Sequence, residues 1–228
     1  MSTKTFYPDA NPEVSSVDGH VAHYAGAVGD TWANIRNGAG THYADSGNIL
    51  HSAWIQAANS NLWVQIKRGV LLFDTSSLTA QATIISATLS IFGSDKDDQL
   101  GCSPDINVYA SAPVSNIALE AGDYDSLGII PLCDIPITYA NWSITTYNNF
   151  LLNTVGLAAI SKTGVTKLGL RNANYDVANV EPTWVSGLVS SYLFAYQADK
   201  GVGFKPKLVI VYHTRVPVVA TLAATGVT

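Results

Sequence analysis

The sequence predicts an all-β protein: a jelly-roll β-sandwich of about nine or ten strands with at most short helical turns. Short apolar runs recur between Gly, Asn, Asp, Ser and Pro residues. Several runs alternate apolar and polar residues with the period of two that is typical of a half-buried strand. No stretch of helical length has the 3.6-residue apolar period of an amphipathic helix.

The clearest strand covers residues 83–92, where apolar residues alternate with serine and threonine. One of its faces is expected in the core and carries Ile85, Ala87, Leu89 and Ile91. Residues 207–213 are apolar on both faces, which favours a central strand. The side chains expected to be almost fully buried are Phe73, Leu89, Ile91, Leu208 and Ile210.

The run at residues 62–67 also alternates, with Leu62, Val64 and Ile66 on its apolar side. This pattern places Trp63, Gln65 and Lys67 on the opposite side, so Trp63 is expected to be exposed. Gly69 then interrupts the alternation, as glycine often does at a β-bulge.

The remaining strands and turns are predicted less strongly. Weaker strands are expected at 20–24, 31–36, 105–111, 165–171 and 191–197, and single helical turns near 117–121 and 155–160. Residues 1–214 are predicted to form the sandwich domain. Residues 215–228 have no charge after Arg215 and are predicted to be an extended arm that adds to a neighbour's sheet edge, or a linker.

Composition excludes several classes of partner. Only 13% of the residues are charged and the net charge is −5, whereas about a quarter of residues are charged in an average protein. The basic residues are scattered, so the stripe needed for nucleic acid or an anionic membrane surface is missing. No apolar run of about 18 residues is present to span a membrane.

The N-terminus and the cysteines bear on location. The first residues lack the apolar run of about 7–15 residues of a signal peptide. We therefore expect a chain that is made in the cytoplasm and works at a virion or extracellular surface, or a fragment of a longer secreted protein. Cys102 and Cys133 are too few for a zinc site and are either free buried thiols or a disulfide between two loops.

Catalytic motifs are missing from the sequence. No nucleophile elbow, metalloprotease motif or phosphate-binding glycine loop occurs. His20 and His23 lie three apart in a strand-like segment and should face opposite sides. Asp123 and Asp125 would act as glycosidase carboxylates only with a partner across a cleft. We expect no enzymatic activity.

Aromatic residues are the candidates for ligand binding, because sugar rings stack on exposed aromatic faces. Trp63 lies on the polar side of its run. Trp54, Tyr43 and His42 lie within residues 37–61, which are rich in Asn, Ser and Ala and are expected to be loop. These four residues are predicted to bind a glycan; the alternative is that they cover the end of the core.

Three aspartates are the candidate metal ligands. Asp95, Asp97 and Asp98 crowd the segment after Phe92, which is expected to be a turn. Calcium requires several oxygen ligands around one point. The sequence therefore offers a possible structural calcium ion and no other cofactor; the alternative is a solvated acidic hairpin loop.

Three stretches carry a family resemblance: residues 68–93, with an FD-x-S-x-L turn and an I-x-S-A-x-L strand, residues 166–184 and residues 205–213. They resemble the DNRLRE-type domains, a jelly-roll group related to carbohydrate-binding modules of secreted bacterial proteins. The opening residues and the segment TYANWSITTYNNFLLN are similar to surface or tail-associated proteins of uncultured bacteria and their phages. The terminal VPVVATLAATGVT resembles the lead-in to a fibronectin-type repeat.

These observations predict a non-enzymatic virion or cell-surface appendage module with a structural role, an attachment role or both. It would associate with itself or with other appendage subunits. The alternative function is a glycan-binding module of a secreted carbohydrate-active protein, with a cell-surface glycan as its partner.

Overall fold

Twelve strands dominate residues 1–214, the part of the chain that the computed structural model describes. Residues 215–228, the predicted arm or linker, lie outside the described residues. The strands are β1 (Ser2–Phe6), β2 (Asp18–Tyr24), β3 (His42–Ala44), β4 (Ile49–Ala57), β5 (Trp63–Asp74), β6 (Ala82–Asp98), β7 (Ile106–Ser111), β8 (Leu127–Pro131), β9 (Tyr147–Leu151), β10 (Val165–Asn172), β11 (Ser190–Tyr196) and β12 (Lys207–Thr214).

Within residues 1–214 the helical segments are no longer than six residues, in agreement with the predicted short helical turns. The α-helices are α1 (Trp32–Asn37) and α2 (Thr154–Ala158), and 3₁₀ turns occur at Ser76–Leu78, Ala121–Ser126 and Ala198–Lys200. A π-helical turn covers Ala173–Val177. None of the helices within residues 1–214 is long and apolar enough to cross a membrane.

The strands form an antiparallel sandwich, which confirms the predicted all-β jelly-roll class. The strand order is β1-β12-β6-β11-β4-β5-β10-β7-β8; β2 pairs with β5 and β3, and β9 pairs with β6. The 17-residue β6 pairs with β12 and β9 over its first part and with β11 at its end. It therefore contributes to both sheets of the sandwich.

Two hydrophobic clusters fill the interior, one around Leu89 and one around Trp63. The first lies where β6, β12 and β9 pack against β7 and β10. All five side chains predicted to be core belong to it and are 0% exposed: Phe73, Leu89, Ile91, Leu208 and Ile210. The second cluster lies beneath β2 and β5 and includes Ile35 of α1.

A bulge in β6 overturns one core prediction. Ser86 pairs with Val211 while Ile84 pairs with Tyr212, so Ile85 is an extra residue in the ladder. Because a bulge reverses the alternation, Ile84 packs against the core and Ile85 is 43% exposed. The expectation that Ile85 points inward is wrong.

Two further segments differ from the sequence prediction. The strand predicted at residues 31–36 is wrong, because Trp32–Asn37 form the helix α1. The side chain of Thr31 caps this helix by accepting a hydrogen bond from the Asn34 backbone N–H, and its buried residues Trp32 and Ile35 lie three apart, as on one helix face. The region 37–61, expected to be loop, contains β3 and β4. Cys102 and Cys133 are free and buried, in agreement with one of the two alternatives.

A buried ion cluster joins β5 and β10 to the turns that cover them. Asp176 is 0% exposed and accepts two hydrogen bonds from each of Arg68 and Arg171, at 2.7 and 2.9 Å. Arg68 also donates to the Tyr124 carbonyl and Arg171 to the Gly128 carbonyl. The cluster thus fixes the π-helical turn and the segment around β8 against the sheet.

Candidate functional site

Five side chains on one face of β4, β5 and β11 form the candidate site, which we call the aromatic face. Trp54 and His51 lie on β4, Tyr192 and Phe194 on β11, and Lys67 on β5. The four rings are partly exposed. Neither hydrophobic cluster includes any of these five residues. Their packing is therefore not needed to fill the interior.

Strand register brings these residues together. Trp54 pairs with Tyr192 on one side and with Lys67 on the other, and His51 pairs with Phe194. Residues directly opposite each other on antiparallel strands project from the same face. A register shift leaves Ser52 unpaired with β11, so His51 and Trp54, although three apart, share that face.

The rings pack on each other in preferred geometries. Tyr192 and Phe194 stack with centroids 4.0 Å apart and an interplanar angle of 16°. Trp54 meets Phe194 edge to face at 5.4 Å, and His51 lies 4.3 Å from Phe194. The Trp54 indole N–H is buried and has no hydrogen-bond partner among the described residues. The four rings therefore form one packed aromatic surface, and the Trp54 N–H is its unsatisfied hydrogen-bond donor within the described residues.

Basic groups border the rings. The Lys67 ammonium lies 4.3 Å from the centre of the Trp54 ring and donates to His51 Nδ1 at 3.1 Å. Nε2 of the buried His20, on β2, lies 3.0 Å from the same His51 nitrogen. His42, on β3, has its ring centroid 6.4 Å from that of His20.

Of the four predicted glycan contacts, the structure brings Trp54 and His42 to this face. Ala22 pairs with both Lys67 and His42, so His42 projects on the same side. Tyr43 pairs with Val21, a member of the second core, and is 46% exposed on the opposite side. Tyr43 is therefore not part of the aromatic face.

The expectation that Trp63 is exposed is wrong. A register shift between Gln56 and Ala57 leaves Val64 unpaired with β4, and this reverses the alternation at the start of β5. Trp63 consequently joins the second core, is 0% exposed and donates to Glu181 at 2.7 Å. A side chain buried in this way offers no surface to a sugar ring.

The three aspartates lie on a strand and not in a turn. Asp95 and Asp97 pair with Phe194 and Tyr192 and so face the aromatic side, and Asp95 accepts from the Tyr192 hydroxyl at 3.1 Å. Asp98 pairs with Ser191 on the other side and accepts from its hydroxyl at 2.6 Å. Within residues 1–214, no group of three or more His, Cys, Asp or Glu side chains is placed to hold a metal ion.

Similarity to known proteins is found in overall structure and not in sequence. No protein-family model matches the chain. No curated protein matches it. Among solved structures it is similar to one described as "xylan-binding module CBM15", with a TM-score of 0.36 and 9% sequence identity over 92% of this chain and 97% of that chain.

A larger pocket than any at this face is lined by other residues. It has a volume of about 940 Å³ and is lined by residues 5–10 together with Tyr147 and Lys207. The Tyr147 hydroxyl already donates to the carbonyls of Gly203 and Lys205 at 3.1 Å. The aromatic face differs in combining packed rings with a buried N–H that has no hydrogen-bond partner within residues 1–214.

Burial shifts the titration of the basic groups. It lowers the pKa of His20 to about 2 and the pKa of His51 to about 3, and the Lys67 charge adds to both shifts. Both imidazoles are therefore neutral in the folded protein at ordinary pH. Unfolding exposes them to water, where a histidine has a pKa of about 6.5.

We expect His51 to make the protein less stable in acid. Between about pH 3 and 6.5, His51 binds a proton in the unfolded state but not in the folded state. The free energy of unfolding therefore falls as the pH falls through this window. The slope from one such site is at most about 1.4 kcal/mol per pH unit. His51→Gln should reduce the loss of unfolding free energy between pH 6.5 and 4.5, measured by urea titration. The matched control is His213→Gln, at an exposed histidine of β12. If the pH dependence of the unfolding free energy is the same in His51→Gln as in wild type, His51 is not a source of the acid instability.

Sequence reasoning missed most of the aromatic face. Tyr192 and Phe194 alternate with the buried Leu193 and Ala195, within a segment predicted as a strand. That alternation was the available signal for two aromatic rings on one outer face. His20, His51 and Lys67 lie on three different strands, and only the register shows that they meet.

Proposed function

We propose that this protein is a non-catalytic carbohydrate-binding module and that the aromatic face is its binding surface. The observation that carries the proposal is the set of partly exposed rings of Trp54, Tyr192 and Phe194, which belong to neither core. The C–H faces of a sugar ring bury apolar area against such rings, while hydroxyls bond to polar groups at their border.

The border of the face supplies polar groups of the required kinds. Gln56 and Gln65 are bonded to each other at 2.6 Å beside Trp54 and Lys67. Asp95 and Asp97 lie beside Tyr192 and Phe194 as acceptors for hydroxyl groups. Strands hold all of these residues, so the surface is formed before a ligand arrives and little ordering is needed on binding.

The experiment is a glycan array followed by titration of a bound glycan. Wild type should bind at least one glycan, and Trp54→Ala should weaken that binding at least about tenfold, the size of effect expected for a central aromatic contact. The melting temperature should change little, because Trp54 lies outside both cores.

The matched control is Tyr7→Ala, which removes another exposed ring, 48% accessible, away from the aromatic face. It should bind as wild type does. The proposal fails if wild type binds no glycan, or if Trp54→Ala binds as tightly as Tyr7→Ala.

The virion or appendage role, the association with other subunits and the extracellular location stay predictions from the sequence. A glycan-binding face is compatible with the attachment role among them. The calcium ion predicted at Asp95, Asp97 and Asp98 is not part of the proposed function.

A further inference from the structure

The positive charge of Lys67 has no counter-ion in the part of the chain that the structure describes. Its side chain is buried, with 8% of the residue exposed. The ion pairs within residues 1–214 all involve Asp176, and none involves Lys67. Its polar contact is the neutral His51 ring, and its other neighbour is the face of Trp54. A buried charge without a counter-ion is costly, and an anion placed beside it removes the cost.

The Lys67 charge persists at neutral pH. Burial lowers the pKa of Lys67 to about 8, and this is the direction expected for an ammonium group withdrawn from water. At pH 7 most molecules therefore still hold a protonated Lys67. A protonated lysine donates strong hydrogen bonds to a carboxylate or sulfate oxygen.

A shallow pocket opens beside Lys67. It has a volume of about 270 Å³ and is lined by Tyr24, His42, Gln65 and Lys67. Tyr24 and His42 are exposed at its rim. The pocket is thus open to a ligand group and polar on several sides.

The aromatic face has a basic end and an acidic end. One row of paired residues crosses the sheet from Asp97 through Tyr192 and Trp54 to Lys67. Three strand spacings of about 4.8 Å separate the first from the last, roughly 14 Å. A chain of acidic sugars would meet Asp97, whereas a single acidic sugar placed at Lys67 would not.

We propose that Lys67 binds the anionic group of one acidic sugar, a carboxylate or a sulfate, while a neutral part of the same glycan stacks on Trp54 and Tyr192. The protein would then prefer glycans that carry one acidic residue over neutral glycans. This inference rests on the proposed function and specifies its ligand class.

The test uses an oligosaccharide that ends in one uronic acid and the same oligosaccharide with that carboxyl reduced to an alcohol. A third ligand carries a sulfate ester in place of the carboxyl. Titration calorimetry with wild type should show at least a tenfold preference for an acidic form over the reduced form. The better of the two acidic ligands identifies the anion.

Lys67→Met should bring the ratio of the affinities for the acidic and the reduced forms to about one, whatever the variant's own affinity for the reduced form. Lys207→Met is the matched control, because Lys207 also lies over an aromatic ring, Tyr147 at 3.9 Å, on β12 and outside the aromatic face. This variant should keep the preference. If Lys67→Met fails to fold, the wild-type preference measured at low and high NaCl replaces it, since screening should reduce the preference.

The outcomes separate the two proposals. Equal binding of the acidic and reduced forms by wild type, or an unchanged preference in Lys67→Met or at high salt, overturns the acidic preference and leaves glycan binding standing. Failure of wild type to bind any of these ligands overturns the acidic preference, and binding to other glycans on the array then decides whether the proposed function also fails.

Discussion

Asp176→Asn should cost about 3–5 kcal/mol of unfolding free energy, because it removes the charge that compensates two buried guanidinium groups. Arg68 and Arg171 are 3% and 4% exposed, and each donates two hydrogen bonds to the Asp176 carboxylate. Burial raises the pKa of this carboxyl, but the two arginines outweigh burial and hold it at about 2. The native cluster therefore keeps its charges down to strongly acid pH.

The measurement is urea unfolding followed by tryptophan fluorescence. Asp125→Asn is the matched control, since it makes the same chemical change at an exposed aspartate of the neighbouring 3₁₀ turn. A surface change of that kind should stay within about 0.5 kcal/mol. Similar losses in the two variants would mean that Asp176 does not neutralise the arginines.

Leu89→Ala should cost about 2–5 kcal/mol, the range for removing a large buried side chain. Leu89 is 0% exposed and lies in the middle of a three-strand ladder, between Leu208 of β12 and Phe150 of β9. Neighbours held by strands on both sides have little freedom to close the cavity. The free energy of unfolding should fall without a change in the fold.

Ile85→Ala on the same strand is the control. Simple alternation gives Ile85 and Leu89 the same face, whereas the bulge in β6 leaves Ile85 43% exposed. Its replacement should cost well under half of the Leu89 value. Equal costs would mean that the bulge is misplaced and that the alternation of residues 83–92 is unbroken.

The sequence predicted the fold class because its strands are short, alternating and separated by turn residues. The two side chains that were predicted on the wrong face of their strands have a common physical cause for the error. Trp63 lies next to the bulged residue Val64, and Ile85 is itself the extra residue of a bulge in β6. A bulge moves every side chain beyond it to the other face. A bulge depends on how two distant strands pair, so no local pattern shows it.

The candidate site was predictable only in part. Trp54 could be predicted as a candidate contact because sugar rings stack on exposed aromatic rings. Its neighbours on the aromatic face, His51, Lys67 and Phe194, depend on which strands pair with each other, and the sequence does not show this. The three aspartates are close in sequence and charged, which predicted a shared metal site. They lie on a strand, however, so Asp98 projects from the face opposite to Asp95 and Asp97.

The continuous strand β6 also affects which parts of the protein can unfold locally. Its first part holds Leu89 between β12 and β9, and its last part holds β11, which carries Tyr192 and Phe194. Separating either sheet therefore breaks hydrogen bonds along the same continuous strand. Local opening that left the interior intact but disrupted the aromatic face would have to detach β11 from both of its neighbours, β4 and β6. We expect the backbone beneath the rings to share the slow amide exchange of the core, which would make the proposed binding surface as rigid as the interior.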